Sequence, residues 1–476
     1  MSQRILLTAW VGLLLNLAAI TGFAREDSSA AAAGQAAGAQ NAAAEAPPRK
    51  PRHRGGLPDD IEGLQQTAIE AYEAGEHLRF VQATIKLRNL RPYEPQYLIG
   101  MVVGTALLGR QTSAYSYMHK MQEQGLSFDF NSTDDTESIR GTEVYDYIND
   151  LLVRAGDPLG EAEVAFRLPE ADSYPEAIVW DPTRERFLTG AVDTGEILAV
   201  SKSGEVESLL KPDADTPWWS VHGLSVDAER NRLWVSTTAV PAFRDVPRNM
   251  LGASALLEFT LDELELVGRF PVPGDSLPHL LGSSVVHPSG DVFVIDRALP
   301  MLYRKAAGGA ALEAYLGNKE LVGFRDIALS ADGKRLYLAD AALGVMVVLP
   351  DDQKSTMLAA PESLNLGGIS GLAVSGNALM MIQNGIRPQR VMRLELDPSG
   401  LSVVEVKPVA NALETFNFPS FAAAHGDSLW YFASSNVPGA NEGLVEPLVL
   451  KSPLEPDEML PTAAETKFQE DTFGKD

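Results

Sequence analysis

Ile327-Ala328-Leu329-Ser330-Ala331-Asp332-Gly333-Lys334-Arg335-Leu336-Tyr337-Leu338 reads as an apolar strand, a polar Asp-Gly turn and a second apolar strand. The same unit occurs six times. Ile178–Asp181 turns to Arg186–Leu188, Leu224–Asp227 to Arg232–Val235, and Val285-Val286 through His287-Pro288-Ser289-Gly290 to Val292–Val294. After 327–338 come Leu372–Gly376 with Leu379–Met381, and Phe421–Gly426 with Leu429–Phe432. First strands begin at 178, 224, 285, 327, 372 and 421, at intervals of 46, 61, 42, 45 and 49 residues. A period near 45 built of strands alone is the signature of four-stranded propeller blades. Further strands, such as Glu196–Val200 and Val391–Leu394, fill the units. The expected fold is therefore mainly β, a six-bladed β-propeller over residues 160–453. Only Pro447–Leu450 follows the sixth unit as a clear strand, so the early strand Val164–Leu168 is expected to complete the last blade and close the ring. The long second interval holds Ala239–Ala253, with Pro241, Arg244, Pro247 and Arg248, and is expected to form a loop over one mouth of the ring.

Ahead of the ring, residues 59–156 change period. Ile61, Leu64, Ala68, Ile69 and Tyr72 recur at helical spacing, and Gly75, Pro92 and Gly109 punctuate further helical stretches. Tyr145, Ile148, Leu151 and Leu152 make a last helix. This small all-α segment resembles tetratricopeptide-type (TPR-like) helical hairpins, with Ala71 and Ala106 where helices would touch. Residues 25–58 are an Ala/Gly/Pro-rich stretch expected to be a disordered linker, and residues 454–476 an acidic tail. Residues 1–24 read as a secretory signal peptide: Arg4 supplies the positive start, Ile5–Ile20 the apolar stretch, and Gly22-Phe23-Ala24 the cleavage site. That stretch is shorter than the ~20 residues of a membrane span, so the mature protein is expected to be periplasmic or secreted and not membrane-spanning.

Composition narrows the function classes. The 476 residues carry a net charge of −25, which repels phosphate backbones and makes nucleic acid an unsuitable partner. The absence of cysteine excludes disulfides, thiolate metal sites and a cysteine nucleophile. There is no G-x-S-x-G context, no P-loop and no H-E-x-x-H.

Ligand sites in propellers gather where loops lead into the inner strands. The residues two before each first strand are Glu176, His222, Ser283, Arg325, Ser370 and Pro419. Tyr174-Pro175-Glu176-Ala177-Ile178, Leu329–Asp340 and Ile382-Gln383-Asn384-Gly385 resemble the SMP-30/gluconolactonase-like propellers, including bacterial members with a helical repeat domain in front. The resemblance covers roughly 160–451 and implies the propeller fold, lactone or ester hydrolysis, and a divalent metal, often calcium, at the channel mouth. It implies Glu176 as the metal-holding glutamate. The remaining ring departs from that pattern: Ser283, Arg325 and Ser370 stand where the family carries Asp or Asn. Calcium takes six to eight oxygens, usually with several carboxylates, so the metal site reads as degraded and no cofactor is required.

Other candidates carry two readings each. His222 and His279 are candidate general bases or hydrogen-bonded lining residues. Asp193, Asp296 and Asp340 follow second strands and either bind a cation or cap turns. Trp218-Trp219 and Phe243 either stack on a flat ligand or pack between blades. Asn384, Arg387 and Arg390 either grip an anion or order a loop. Two functions follow. One is an exported ligand- or protein-binding module, with a periplasmic protein partner on the helical domain and a small molecule at the mouth held by Glu176, His222, Ser283, Arg325, Ser370, Asn384 and Arg387. The other is a metal-dependent lactonase or esterase-like hydrolase using Glu176 for metal and His222 or His279 for proton transfer.

Overall fold

The computed structural model describes residues 56–168, 174–244, 246–274, 277–317, 321–434, 436 and 445–456. The expected signal peptide, the linker up to residue 55 and the tail beyond 456 lie outside the described residues. Six four-stranded antiparallel sheets form the blades of a β-propeller. The inner strands are Pro175–Asp181, Ser220–Asp227, Leu281–Val286, Phe324–Leu329, Ile369–Ser375 and Ser420–His425. Blade 6 takes its outermost strand, Glu163–Arg167, from the start of the propeller segment, where it pairs with Leu448–Pro453. The two ends of the propeller segment are thus held in one sheet, which removes an open seam.

Alternate residues of each strand face the neighbouring blades, so the core is a set of apolar layers between sheets. Leu188, Ile197 and Ala199 of blade 1 pack on Val221, Leu233, Val235 and Leu257 of blade 2. The closing layer is aromatic: Phe187 of blade 1 lies 4.5 Å from Trp430 of blade 6, with Phe166 of the closing strand beside both.

The helical segment contains α1 (Ile61–Glu73), α2 (His77–Leu90), α3 (Pro95–Leu107), α4 (Gln111–Glu123) and α5 (Glu143–Arg154). Asp60 caps α1 by accepting from Gly63 N, Thr142 caps α5 by accepting from Tyr145 N, and Pro95 opens α3. Gly75 and Gly109 follow α1 and α3 with φ of 70° and 67°, the left-handed geometry that ends a helix and that glycine adopts without strain. Among the described residues no helix is long and apolar enough to cross a membrane.

The helices sit against the propeller, on the face where loops lead into the inner strands. Arg390, only 4% exposed, donates from Nη1 to the carbonyl of Gln124 at the end of α4 and from Nε to Gln383 Oε1. Ser127 N donates to the Arg387 carbonyl, Asn365 Nδ2 to Gln124 Oε1, and Lys120 pairs with Glu362 at 2.7 Å. Ile386, in the same blade 5 turn, is buried in the apolar cluster of α3, α4 and α5. Gly367 admits the Tyr93 backbone, since a Cβ there would lie 2.3 Å from the Tyr93 carbonyl oxygen.

Burial pushes the Arg390 guanidinium down to about 10. Its hydrogen bonds run to amide and carbonyl oxygens, so its stabilisation comes from neutral acceptors on both sides of the interface. Arg390→Ala is expected to lower stability by about 2–3 kcal/mol in urea denaturation, the loss of charge-assisted hydrogen bonds from a buried cation, and to open the α4 end to limited proteolysis. An unchanged midpoint and cleavage pattern would show that docking does not depend on it.

Candidate functional site

Each inner strand carries a register slip near its start. The slips fall between Glu176 and Ile178, Val221 and Gly223, Leu281 and Ser284, Phe324 and Asp326, Ile369 and Gly371, and Ser420 and Ala422. A bulge re-aims side chains and interrupts the strand's alternation. The residues at the slips are Ala177, His222, the pair Gly282-Ser283, Arg325, Ser370 and Phe421. The ring read from sequence therefore coincides with the slips at His222, Ser283, Arg325 and Ser370. It lies one residue early at Glu176 and two early at Pro419, whose place is taken by Phe421. Ala177 and Phe421 hold φ of 63° and 37°, left-handed conformations that cost a non-glycine residue about 1–3 kcal/mol each.

Glu176 is 2% exposed and does not stand alone. Its Oε2 lies 2.7 Å from His222 Nδ1 and accepts at 2.7 Å from Arg297 Nη1, while Oε1 accepts from the Tyr174 hydroxyl at 3.2 Å. Burial alone would raise the carboxyl, but Arg297 and His222 outweigh it and hold Glu176 down to about 2. Burial likewise works against Arg297, and Glu176 overrides it to raise the guanidinium further. Arg297 reaches the channel from the turn after the second strand of blade 3, across Gly282. A Cβ on Gly282 would lie 2.6 Å from Arg297 Cδ, so the glycine leaves the passage open. The Arg297 guanidinium carbon sits 6.0 Å from the centre of the Phe421 ring, within cation–π range.

Arg325 belongs to the same group of charges. Burial and then Arg297 push its guanidinium down to about 10, so it stays cationic at neutral pH. Nη1 of Arg325, Nε of Arg297 and Nε2 of His222 are buried without a hydrogen-bond partner among the described residues. Asp326 carries the nearest acidic group on the same strand, but its oxygens accept from Leu372 N at 2.7 Å and Ile327 N at 2.9 Å, and it bonds Ser283.

The other sequence candidates make contacts of their own outside the Glu176 cluster. Ser370 Oγ and Asn384 Nδ2 both donate to the Pro419 carbonyl, tying blade 5 to blade 6. Arg387 contributes its carbonyl to the helical interface. His279 Nδ1 lies 2.7 Å from Asp296 Oδ2, against Tyr303, and its backbone N–H donates to the Gly252 carbonyl. Asp296 and Asp340 accept several backbone N–H groups each and cap their turns. Trp218 is buried against Phe259 and donates to the Gly195 carbonyl, an inter-blade contact. Trp219 meets Phe243 edge-on at 5.7 Å, and Phe243 packs with Val192, Val240, Leu280 and Tyr174 in an apolar patch beside Glu176.

Sequence reading missed Arg297, Tyr174, Asp326 and Phe421. Arg297 had a signal: it directly follows the strand-end Asp296, at a turn where Asp340 is followed by Ala341. Gly282 in the facing strand was the second half of that signal.

No protein-family model matches the chain, and no curated protein matches it. Solved structures do. The PQQ-bound aldose sugar dehydrogenase of Streptomyces coelicolor is 13% identical with a TM-score of 0.44, over 62% of this chain and 99% of that one. A putative oxidoreductase (glucose dehydrogenase) of Thermus thermophilus is 14% identical with a TM-score of 0.42, over 61% and 99%. Luciferin-regenerating enzyme is 14% identical with a TM-score of 0.43, over 62% and 95%. These likenesses carry no activity across to this chain, whose architecture rests on its own six sheets.

Burial raises the Asp326 carboxyl from 3.8 to about 6 against the opposing pull of its hydrogen bonds. The fold therefore holds this proton more tightly than the unfolded chain does. The group's contribution is most favourable below about pH 4 and declines as pH rises to about 6, by about 2–3 kcal/mol. Asp326→Asn is expected to gain stability relative to wild type as pH is raised from 4 to 7, measured by thermal melts across that range. A constant difference would show that Asp326 titrates normally.

Proposed function

We propose that this is an exported ligand-binding propeller of the SMP-30/gluconolactonase-like kind, in which a guanidinium has replaced the metal ion at the mouth. The observation that carries this reading is Arg297 Nη1 at 2.7 Å from Glu176 Oε2. A calcium ion needs six to eight oxygens. Glu176 offers one carboxylate, and the oxygen facing Arg297 already meets two nitrogen partners. Among the described residues no three His, Asp or Glu side chains converge as a metal shell. The positive charge that a metal would supply beside Glu176 is supplied by Arg297, so ligand binding proceeds without calcium. The helical segment, TPR-like in this reading, is fixed beside the mouth and offers its outer surface to a periplasmic protein partner.

A second reading rests on the Glu176–His222 contact. A carboxylate on Nδ1 orients the imidazole and leaves Nε2 as the free nitrogen, the arrangement of a general base. It supports lactone or ester hydrolysis at the mouth and would show as turnover lost in His222→Gln.

Melting temperatures with millimolar calcium, zinc or manganese test the first reading. No metal-specific rise is expected. Glu176→Gln is expected to lower stability by about 3 kcal/mol, because it leaves Arg297 buried without its counter-charge. A calcium-dependent rise abolished by Glu176→Gln would instead establish a metal site and favour the hydrolase.

A further inference from the structure

Most buried charges in the propeller have their partners. Asp296, Asp340 and Asp326 are engaged with backbone N–H groups, and Glu176 is paired with Arg297. Arg325 is the exception at the mouth: no hydrogen bond or ion pair from its guanidinium is found among the described residues, and its Nη1 is buried. A guanidinium with a buried, unmatched nitrogen beside a second guanidinium is a costly arrangement. Nε of Arg297 and Nε2 of His222 are also buried without partners in the same charge cluster. We propose that Arg325 is the anchor of a binding site for a small organic monocarboxylate, with Arg297 and His222 facing the bound group. This rests on reading the mouth as a metal-independent ligand site.

Charge selects the ligand class. Arg297 is paired with Glu176, whereas Arg325 makes no ion pair among the described residues and feels the charge of Asp340 only from beyond contact range. A single carboxylate neutralises Arg325 and matches the fork of a guanidinium with two parallel hydrogen bonds. A phosphate dianion would leave a net negative charge in a desolvated pocket next to Glu176. The Phe421 ring, held at the sixth bulge beside Arg297, gives the carboxylate's organic body an apolar wall.

Thermal shifts at constant ionic strength test the proposal, with sodium benzoate, sodium acetate, inorganic phosphate and chloride as probes. Benzoate is expected to raise the melting temperature by about 2 °C or more over chloride, acetate to raise it less, and phosphate not at all. Arg325→Gln is expected to abolish the benzoate shift. Without ligand, that variant is expected to melt at or above wild type, since it removes an unpaired buried cation, whereas a merely structural arginine would melt lower. No benzoate shift, an equal shift in Arg325→Gln, or a ligand-free Arg325→Gln that melts well below wild type would overturn the proposal. A larger shift with phosphate would overturn the carboxylate assignment. These outcomes are separate from a calcium-dependent shift, which would overturn the metal-independent reading itself.

Discussion

The ion pair between Glu176 and Arg297 organises the mouth of this propeller. It joins blade 1 to blade 3 across the channel, and through His222 it includes blade 2. Two buried charges are tolerated there because each supplies what the other lost on leaving water. The geometry around them is built for that contact. Gly282 gives Arg297 its passage, Tyr174 donates to the second carboxylate oxygen, and Phe421 faces the guanidinium. The left-handed backbone at Ala177 and Phe421 is a local strain held by the surrounding ring. With Arg297 paired to Glu176, Arg325 is left without a contacting counter-charge among the described residues, which the proposed carboxylate would supply.

The helical segment belongs to the same face. Its contacts with the blade 4 and blade 5 turns are continuous with the apolar core of the helices, through Ile386, and with the propeller's hydrogen bonding, through Arg390. Arg390 is buried and Arg325 partly buried, and the two differ in what surrounds them. Arg390 has carbonyl and amide oxygens arranged around it, which makes it a structural rivet. Arg390 leaves only Nη2 unmatched, whereas the Arg325 guanidinium makes no hydrogen bond among the described residues and buries Nη1, which marks it as a binding group.

Much of this was legible in the sequence, and the reasons are physical. Period-2 alternation with polar turns declares a strand pair wherever one face is buried, so the blades and the closing strand Glu163–Arg167 were readable. The starts of the inner strands were not. Apolar runs begin just after the bulges at 178, 224, 285, 327 and 372, because the bulge and the polar residues before it break the alternation. This displaced Glu176 by one position and hid Phe421 behind Pro419. Arg297 was hidden because it comes from a turn and acts on another blade, 121 residues away in sequence. The grip of Arg390 on Gln124 spans 266 residues and leaves no local pattern at all, so Asn384 and Arg387 read either as ligand groups or as loop-ordering residues; the Asn384 side chain and the Arg387 carbonyl join the blade 5–6 junction and the helical interface.

Glu176 and Arg297 act as one unit at the mouth. A double-mutant cycle of Glu176→Gln and Arg297→Met, read by urea denaturation at pH 7, measures this directly. Strongly non-additive losses are expected, with a coupling energy of about 2–3 kcal/mol, because the second substitution removes a partner that the first has already left unpaired. Additive losses, with a coupling below about 0.5 kcal/mol, would contradict it.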